Sequence, residues 1–163
     1  MSNPAVQRRP LIGDHWKMER ESNKDVLGVM RKVIAKRLEA HGKSVDEIIT
    51  PQALQILART SGGVMRALVR YFRDAAMFAQ LLDKMQIDET TAQVVVNQQR
   101  QDIASRLAIV HLDTLRRVLQ QGILSGGQQE TVEDELLRNL YLLSYQDAPF
   151  SWFDVHPNVL PLL

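Results

Sequence analysis

Apolar residues recur at every third or fourth position from residue 26 onward, which is the spacing that places them on one face of an α-helix. The first such pattern ends at Gly42 and predicts a helix with a left-handed glycine cap. Thr50 and Pro51 predict the start of a second helix, because threonine caps free N–H groups and proline fits the first helical turn. The buried side of this helix is predicted to hold Leu54, Leu57 and Ala58.

The longest amphipathic pattern predicts a third helix from about Gly63 to about Leu82. Its apolar face is predicted to consist of Met65, Leu68, Val69, Phe72, Ala76 and Ala79. Asp88 is typical of the cap of a fourth helix. Three consecutive valines at 94–96 lower the helix propensity of that segment and leave its continuity open.

The C-terminal third of the chain changes from helical to mixed patterning. A break is predicted near His111, and after it the pattern indicates a fifth helix capped by Asp113 and ended by Gly122, a short helix from about Thr131 to Leu140, and extended runs at Tyr141–Tyr145 and Ser151–Val155. The two extended runs flank a segment of turn composition, so they predict a β-hairpin.

These elements predict a mainly α-helical fold, in which a helical bundle precedes a small winged-helix-like domain with a terminal β-hairpin. We expect a linker or leader over residues 1–25, a helical domain over 26–110 and the winged-helix-like domain over 111–163. Two helices followed by a hairpin are the basis of the second domain prediction.

The composition narrows the chemistry that this chain can perform. It has no cysteine among 163 residues, which excludes disulfides, thiolate metal sites and cysteine nucleophiles, and fits a reducing compartment. No apolar run approaches the roughly 20 residues of a membrane span. We therefore expect a soluble, cytoplasmic protein that does not bind membranes.

Charge is unevenly distributed along the chain. Residues 126–163 carry six acidic side chains and one basic side chain, so this segment is poorly suited to contact nucleic-acid phosphates. The acidic residues Glu133, Asp134 and Glu135 are expected to face outward, which would suit a protein partner better than DNA. If DNA is bound, the better candidates are the basic positions Lys32, Lys36, Arg37, Arg116 and Arg117.

The stretch Ser61-Gly62-Gly63-Val64-Met65-Arg66 is the strongest candidate for a binding site. Glycines allow a ligand to approach the backbone, a helix N-terminus offers unpaired N–H groups, and arginine binds phosphate oxygens through a planar fork. Arg66, Arg70 and Arg73 share one stripe of the third helix, a repulsive arrangement that an anion or a partner subunit would relieve. Asp74 is expected to point away from this stripe. In the alternative interpretation, the glycines only separate two helices and the arginines form a solvated face.

Two other motifs are poor candidates for chemistry. Gly42-Lys43-Ser44 ends like a phosphate-binding P-loop, but that motif requires a glycine where Arg37 stands and a strand where the pattern predicts a helix. Asp154 and His156 alternate on a predicted strand, yet they are too few to hold a metal ion. A structural hydrogen bond of His156 that closes the hairpin is the favoured interpretation, and no metal site or catalytic residue is predicted.

Several segments together resemble the helical lid of AAA+ ATPases, particularly the initiator and origin-recognition branch. They are Lys36-Arg37-Leu38, the run ITPQALQILARTSGG at 49–63, and MRALVRYFRDAA at 65–76. The ending WFDVHP at 152–157 is similar to that of bacterial ATPases of this type. In that branch a winged-helix domain follows the lid.

The resemblance implies that Arg66 is the sensor-2 arginine, which reaches from the lid to the γ-phosphate of a nucleotide, with Gly62 and Gly63 beside it. It further implies that ATP and Mg²⁺ are held by an ATPase core domain, whose P-loop, acidic pair and arginine finger are not in this sequence. The chain is then the C-terminal regulatory fragment of such an ATPase, not an enzyme by itself, and it acts on a nucleotide bound by other polypeptide, with a homo-oligomer as one arrangement. Two alternatives stay open: a winged-helix DNA-binding module and a protein-interaction adaptor, neither with an ATPase role.

Overall fold

A computed structural model describes residues 27–125, 130–147 and 150–163, so the predicted linker or leader at 1–25 lies outside the described residues. The described chain is mainly helical, with a two-stranded antiparallel hairpin near its C-terminus. Of helix α1, residues 27–39 are described. The later elements are α2 (Val45–Ile48), α3 (Pro51–Thr60), α4 (Met65–Leu81), α5 (Glu89–Ala104), α6 (Ile109–Gln121), α7 (Glu130–Arg138), β1 (Leu142–Asp147), β2 (Phe150–Val155) and a 3₁₀ turn (Leu160–Leu162).

Side-chain caps begin α3 and α5 where the sequence predicts them. The Thr50 hydroxyl accepts a hydrogen bond from the Ala53 N–H at 3.1 Å, and the Asp88 carboxylate accepts one from the Thr91 N–H at 2.8 Å. The Lys84 ammonium also donates to the Asp88 carboxylate, and this bond, with that from Thr91, holds the pKa of Asp88 well below its usual range. Both predicted N-caps are therefore confirmed.

Left-handed glycines end α1 and α6 as predicted, with φ of 63° at Gly42 and 67° at Gly122. Helix α5 runs without a break through the three valines at 94–96. Val95 and Val96 are buried, and their packing outweighs the low helix propensity of β-branched residues.

The start of α6 differs from the prediction. The break falls at residues 105–108, and α6 begins at Ile109, so Asp113 lies within the helix and is not its cap. The His111 imidazole replaces a conventional cap, because its Nδ1 accepts a hydrogen bond from the Ala108 N–H at 3.0 Å. The prediction that placed the break at His111 was therefore wrong by about one helical turn.

Two small features were not predicted. Helix α2 has a single turn, and directly after it Ile49 forms a parallel bridge with Ile87. The Ile87 N–H donates to the Ile48 carbonyl at 2.8 Å, and the Thr50 N–H donates to the Ile87 carbonyl at 3.0 Å. This bridge joins the segments that precede α3 and α5, and it fixes the start of both helices side by side.

Two clusters of buried apolar side chains form the interior. The first lies among α1 to α5 and comprises Met30, Ile34, Val45, Ile49, Ala53, Leu54, Leu57, Ala58, Leu68, Tyr71, Ala75, Ala79, Ile87, Ala92, Val95 and Val96. The second lies among α6, α7 and the C-terminal segment and comprises Leu115, Val118, Leu136, Leu142, Val155 and Val159. Ile103 near the end of α5 packs on the second cluster, so this helix contributes to both cores.

The buried face of α4 is rotated from the predicted one. Its fully buried residues are Leu68, Tyr71, Ala75 and Ala79, whereas Met65 is exposed, and Val69, Phe72 and Ala76 are half-buried. The rotation brings Tyr71, with 1% of its surface exposed, into the core.

The hairpin pairs Leu142 with Val155 and Asp147 with Phe150, so each strand begins within one residue of its predicted start. The Phe153 N–H donates to the Gly122 carbonyl, which fixes the hairpin beside the end of α6. None of the helices in the described ranges combines the length and apolarity that crossing a bilayer requires.

Candidate functional site

The turn at residues 61–64 joins α3 to α4 and carries the glycine pair. Gly62 and Gly63 have φ of 60° and 80°, a left-handed conformation that favours glycine. The Ser61 N–H donates to the Leu57 carbonyl at the end of α3, and the Val64 N–H donates to the Ser61 carbonyl, both at 3.0 Å. Helix α4 therefore begins immediately after α3 ends, in a direction that the two glycines allow.

The N-terminus of α4 has no acidic side chain in its first turn, and its cap residue Val64 offers no side-chain acceptor. Arg66 is the second residue of the helix and is exposed. Among the described residues, its guanidinium forms no hydrogen bond or ion pair. A cation at this end of a helix adds to the positive end of the helix dipole, so the arrangement suits an anion.

The other two arginines of the stripe have neighbours within the chain. The Arg70 guanidinium lies 5.4 Å from the centroid of the Tyr71 ring, within range of a cation–π contact. Arg73 donates to the Asp74 carboxylate at 2.9 Å. The expectation that Asp74 points away from the stripe was therefore wrong. Among the described residues, neither Arg66 nor Arg70 has a carboxylate partner, and Arg66 is the one that lies in the first turn of α4.

The two glycines face different surroundings. A Cβ on Gly62 would lie 2.8 Å from Pro157 Cδ and 3.0 Å from Leu143 Cδ1, whereas a Cβ on Gly63 would meet nothing within 4 Å. The close approach that Gly62 permits is thus to the chain's own C-terminal segment. Open backbone that a ligand could reach is found at Gly63.

A junction of buried polar groups joins this turn to the C-terminal segment. The Asn158 N–H donates to His156 Nδ1 at 3.1 Å, so the imidazole proton is assigned to Nε2, which donates to the Ser61 carbonyl at 3.2 Å. The Asn158 side-chain amide donates to the Tyr71 hydroxyl at 2.8 Å. These four residues, with Gly62 and Pro157, are called the junction below.

Burial holds His156 in its neutral form. Removal from water, assisted by the positive charge of Arg70, lowers the pKa of His156 to about 4, although the hydrogen bond to the Ser61 carbonyl acts in the opposite direction. The backbone of His156 extends the hairpin by donating to the Tyr141 carbonyl. The prediction that the His156 side chain closes the hairpin was wrong. The side chain instead bonds to the Ser61 carbonyl in the turn before α4.

We expect the stability of the protein to fall as pH drops from 6.5 to 4. In this range the unfolded chain takes up a proton at His156 that the folded chain does not bind, so protons favour unfolding. Urea denaturation at several pH values measures the slope, and the His156→Gln variant is the control, because it keeps an N–H donor for Ser61 but does not titrate. Parallel stability curves for the two proteins would contradict the assignment.

The acidic residues of α7 are not all presented to solvent. Glu133 is only 2% exposed, and its carboxylate accepts hydrogen bonds from Arg117 Nη2 and the Ser125 N–H, both at 2.8 Å. Arg116 donates to Asp113 and to the Leu163 carbonyl. The expectation that Glu133 faces outward was wrong, and both arginines proposed for DNA contact take part in internal bonds. Lys32, Lys36 and Arg37 are exposed on α1.

A shallow apolar groove of about 230 Å³ lies between α4 and α5. Its walls include Met77, Phe78 and Leu81 of α4 and Val95 and Gln98 of α5. Met77 is 56% exposed and Leu81 is 77% exposed. Large apolar side chains exposed together are typical of surfaces that contact other proteins.

The residues of the junction that sequence reasoning missed are Tyr71 and Asn158. Their signal was weak, since a polar residue in the chain gives no indication that it will be buried against a distant partner. Arg66, in contrast, was found from its spacing and its place after the glycine pair. No protein-family model matches the sequence, and no curated protein matches it either.

Proposed function

We propose that this chain is the C-terminal regulatory part of an AAA+-type ATPase, in which α1 to α5 form the lid and α6, α7 and the hairpin form a winged-helix-like unit. Arg66 is the nucleotide sensor of this proposal. The observation that carries it is the exposed guanidinium of Arg66 at an uncapped helix N-terminus, with no counter-ion among the described residues.

The chemistry of these groups fits a terminal phosphate. The arginine fork and the free N–H groups at the start of α4 are donors that phosphate oxygens accept, and Gly63 leaves the adjacent backbone open. ATP and Mg²⁺ would be held by a core domain that supplies the P-loop. The contribution of this chain would be a charge-assisted contact that is present with a triphosphate and absent with a diphosphate, so that the position of the lid follows the nucleotide.

Replacing Arg66 with alanine is expected to lower ATP hydrolysis by the assembled ATPase about 10- to 100-fold, the factor that corresponds to losing a hydrogen bond to a charged group. The fold should be unaffected, because the side chain is exposed and makes no described contact. Steady-state hydrolysis measures the effect, and circular dichroism of the isolated chain checks the fold.

The matched control is Arg106→Ala, which removes an exposed arginine after α5, far in sequence from the glycine pair. This variant should retain full activity.

On the isolated chain, NMR titration with inorganic tripolyphosphate should shift the amide signals of Met65, Arg66 and Ala67, and the shifts should vanish in Arg66→Ala. Unchanged turnover in Arg66→Ala would refute the nucleotide-sensing role.

A second candidate function is that of a protein-interaction module without an ATPase role. The exposed apolar groove between α4 and α5 favours it. The Arg66 experiment separates the two functions, because an adaptor of this kind would keep partner binding and show no response to tripolyphosphate. DNA binding has less support, since Arg116 and Arg117 are engaged within the chain.

A further inference from the structure

The glycine turn before Arg66 and the C-terminal stretch that contains His156 and Pro157 contact each other. We infer that His156, Pro157 and Asn158 are positioning residues for Arg66, and that their contact with the turn is releasable. The inference rests on the proposed function for its purpose, since the position of Arg66 matters only if this side chain meets an anion.

The first step is the placement of the contacts. His156 bonds to the Ser61 carbonyl, Pro157 lies against Gly62, and Asn158 bonds to Tyr71 of α4. Three consecutive residues therefore hold both the turn and the helix that follows it. Because Arg66 lies between these contacts in the chain, its position relative to α6, α7 and the hairpin depends on all three.

The second step is the incomplete bonding of the junction. Asn158 is fully buried, yet its Oδ1 has no hydrogen-bond partner among the described residues. Turning the amide over would let Oδ1 accept from the Tyr71 hydroxyl, but Nδ2 would then be unpaired. A buried polar network that is only partly satisfied stabilises the packed state less than a fully bonded one, so the unpaired Oδ1 lowers the cost of opening the junction.

The third step is the positive charge of Arg70, which lies near both Arg66 and His156. Arg70 is one helical turn from Arg66 and lies close enough to His156 to disfavour protonation of the imidazole. An anion that attracts the arginines of α4 therefore acts on the same element that His156, Pro157 and Asn158 hold. If release of the junction moves Arg66, reciprocal linkage requires that an anion bound at Arg66 changes the release equilibrium.

The test measures the position of the start of α4 directly. Since the chain has no cysteine, the exposed residues Met65 and Arg138 can be replaced as Met65→Cys and Arg138→Cys and carry the only two nitroxide labels. Electron–electron double resonance should give one narrow distance in the otherwise unchanged protein. Adding Asn158→Ala should produce a second, longer distance, whereas the control Asn97→Ala, on the exposed face of α5, should not. Identical distributions with and without Asn158 would overturn the inference.

A milder variant covers the case in which Asn158→Ala does not fold. Tyr71→Phe removes only the hydroxyl that Asn158 contacts, and Tyr141→Phe, at a half-buried position before the hairpin, is its matched control. In Tyr71→Phe, hydrogen exchange of the Val64 and Leu68 amides should accelerate about tenfold, with the hairpin amides unchanged. Equal acceleration everywhere would show a purely structural role and overturn the inference.

Neither measurement uses a nucleotide. A failure of the distance and exchange experiments would leave the Arg66 hydrolysis result standing, and a failure of that result would leave the junction measurements standing.

Discussion

The Glu133→Ala variant is expected to lose about 3 kcal/mol of its free energy of unfolding, because the truncation removes a buried carboxylate that pairs with the partly buried Arg117 guanidinium. Glu133 is almost fully buried, and it binds both the Arg117 guanidinium of α6 and the backbone of Ser125. The side chain of Arg117 is 23% exposed, so water relieves part of the penalty and the lower end of the usual range applies. Urea denaturation followed by circular dichroism measures the loss.

Glu135→Ala is the matched control for this prediction. Its side chain is 56% exposed and lies 3.4 Å from His111, so its removal should change the free energy of unfolding by less than about 0.5 kcal/mol. Glu133→Gln, which keeps an acceptor for the Ser125 N–H, should fall between the two. Similar small losses at positions 133 and 135 would show that the Arg117–Glu133 pair does not stabilise the second core.

A comparably large effect is expected for Gly62→Ala, at about 2 to 5 kcal/mol. Part of the loss comes from placing a Cβ in the left-handed region, and the remainder from displacing Pro157, whose ring atom would lie 2.8 Å from the new Cβ. Thermal or urea denaturation of the full chain measures it.

Gly63→Ala separates these two contributions. Its φ of 80° imposes a similar backbone cost, but a Cβ there meets nothing within 4 Å. We therefore expect Gly63→Ala to lose only about 1 to 2 kcal/mol, the cost of a non-glycine residue in this conformation. Equal losses in the two variants would mean that the C-terminal segment yields to the added methyl group without cost.

Features determined by neighbouring residues could be predicted from the sequence. The caps at Thr50 and Asp88 and the glycine ends at Gly42 and Gly122 are short-range hydrogen-bond patterns, and they are found where expected. The hairpin is likewise local, because only two residues separate its strands along the chain.

Features determined by distant residues could not be predicted. Tyr71 lies in the core, where the Asn158 amide donates to its hydroxyl, and Glu133 is buried where it pairs with Arg117 of α6. A polar side chain gives no sign in the sequence of whether such a partner will be present. The start of α6 was missed for a smaller reason, since a histidine inside the first turn acts as the acceptor in place of Asp113.

In the candidate site, too, the features set by neighbouring residues could be predicted and those set by distant residues could not. The exposure of Arg66 at a helix start follows from the glycine pair and the helical spacing, both of which are readable in the chain. The contact between Gly62 and Pro157 could not be predicted, because it depends on how the C-terminal segment packs against the turn before α4. The difference between Gly62 and Gly63 could not be predicted for the same reason.

The parallel bridge between Ile49 and Ile87 has a consequence for synthesis. Its two partners lie just before α3 and α5, and the first core is complete only when Val95 and Val96 are added. A nascent chain that has emerged from the ribosome only as far as α4 thus lacks one wall of this core, and its apolar face stays open to chaperones. Ile103, about two helical turns after Val96, packs on the second core, so the helix that closes the first core also contributes to the second.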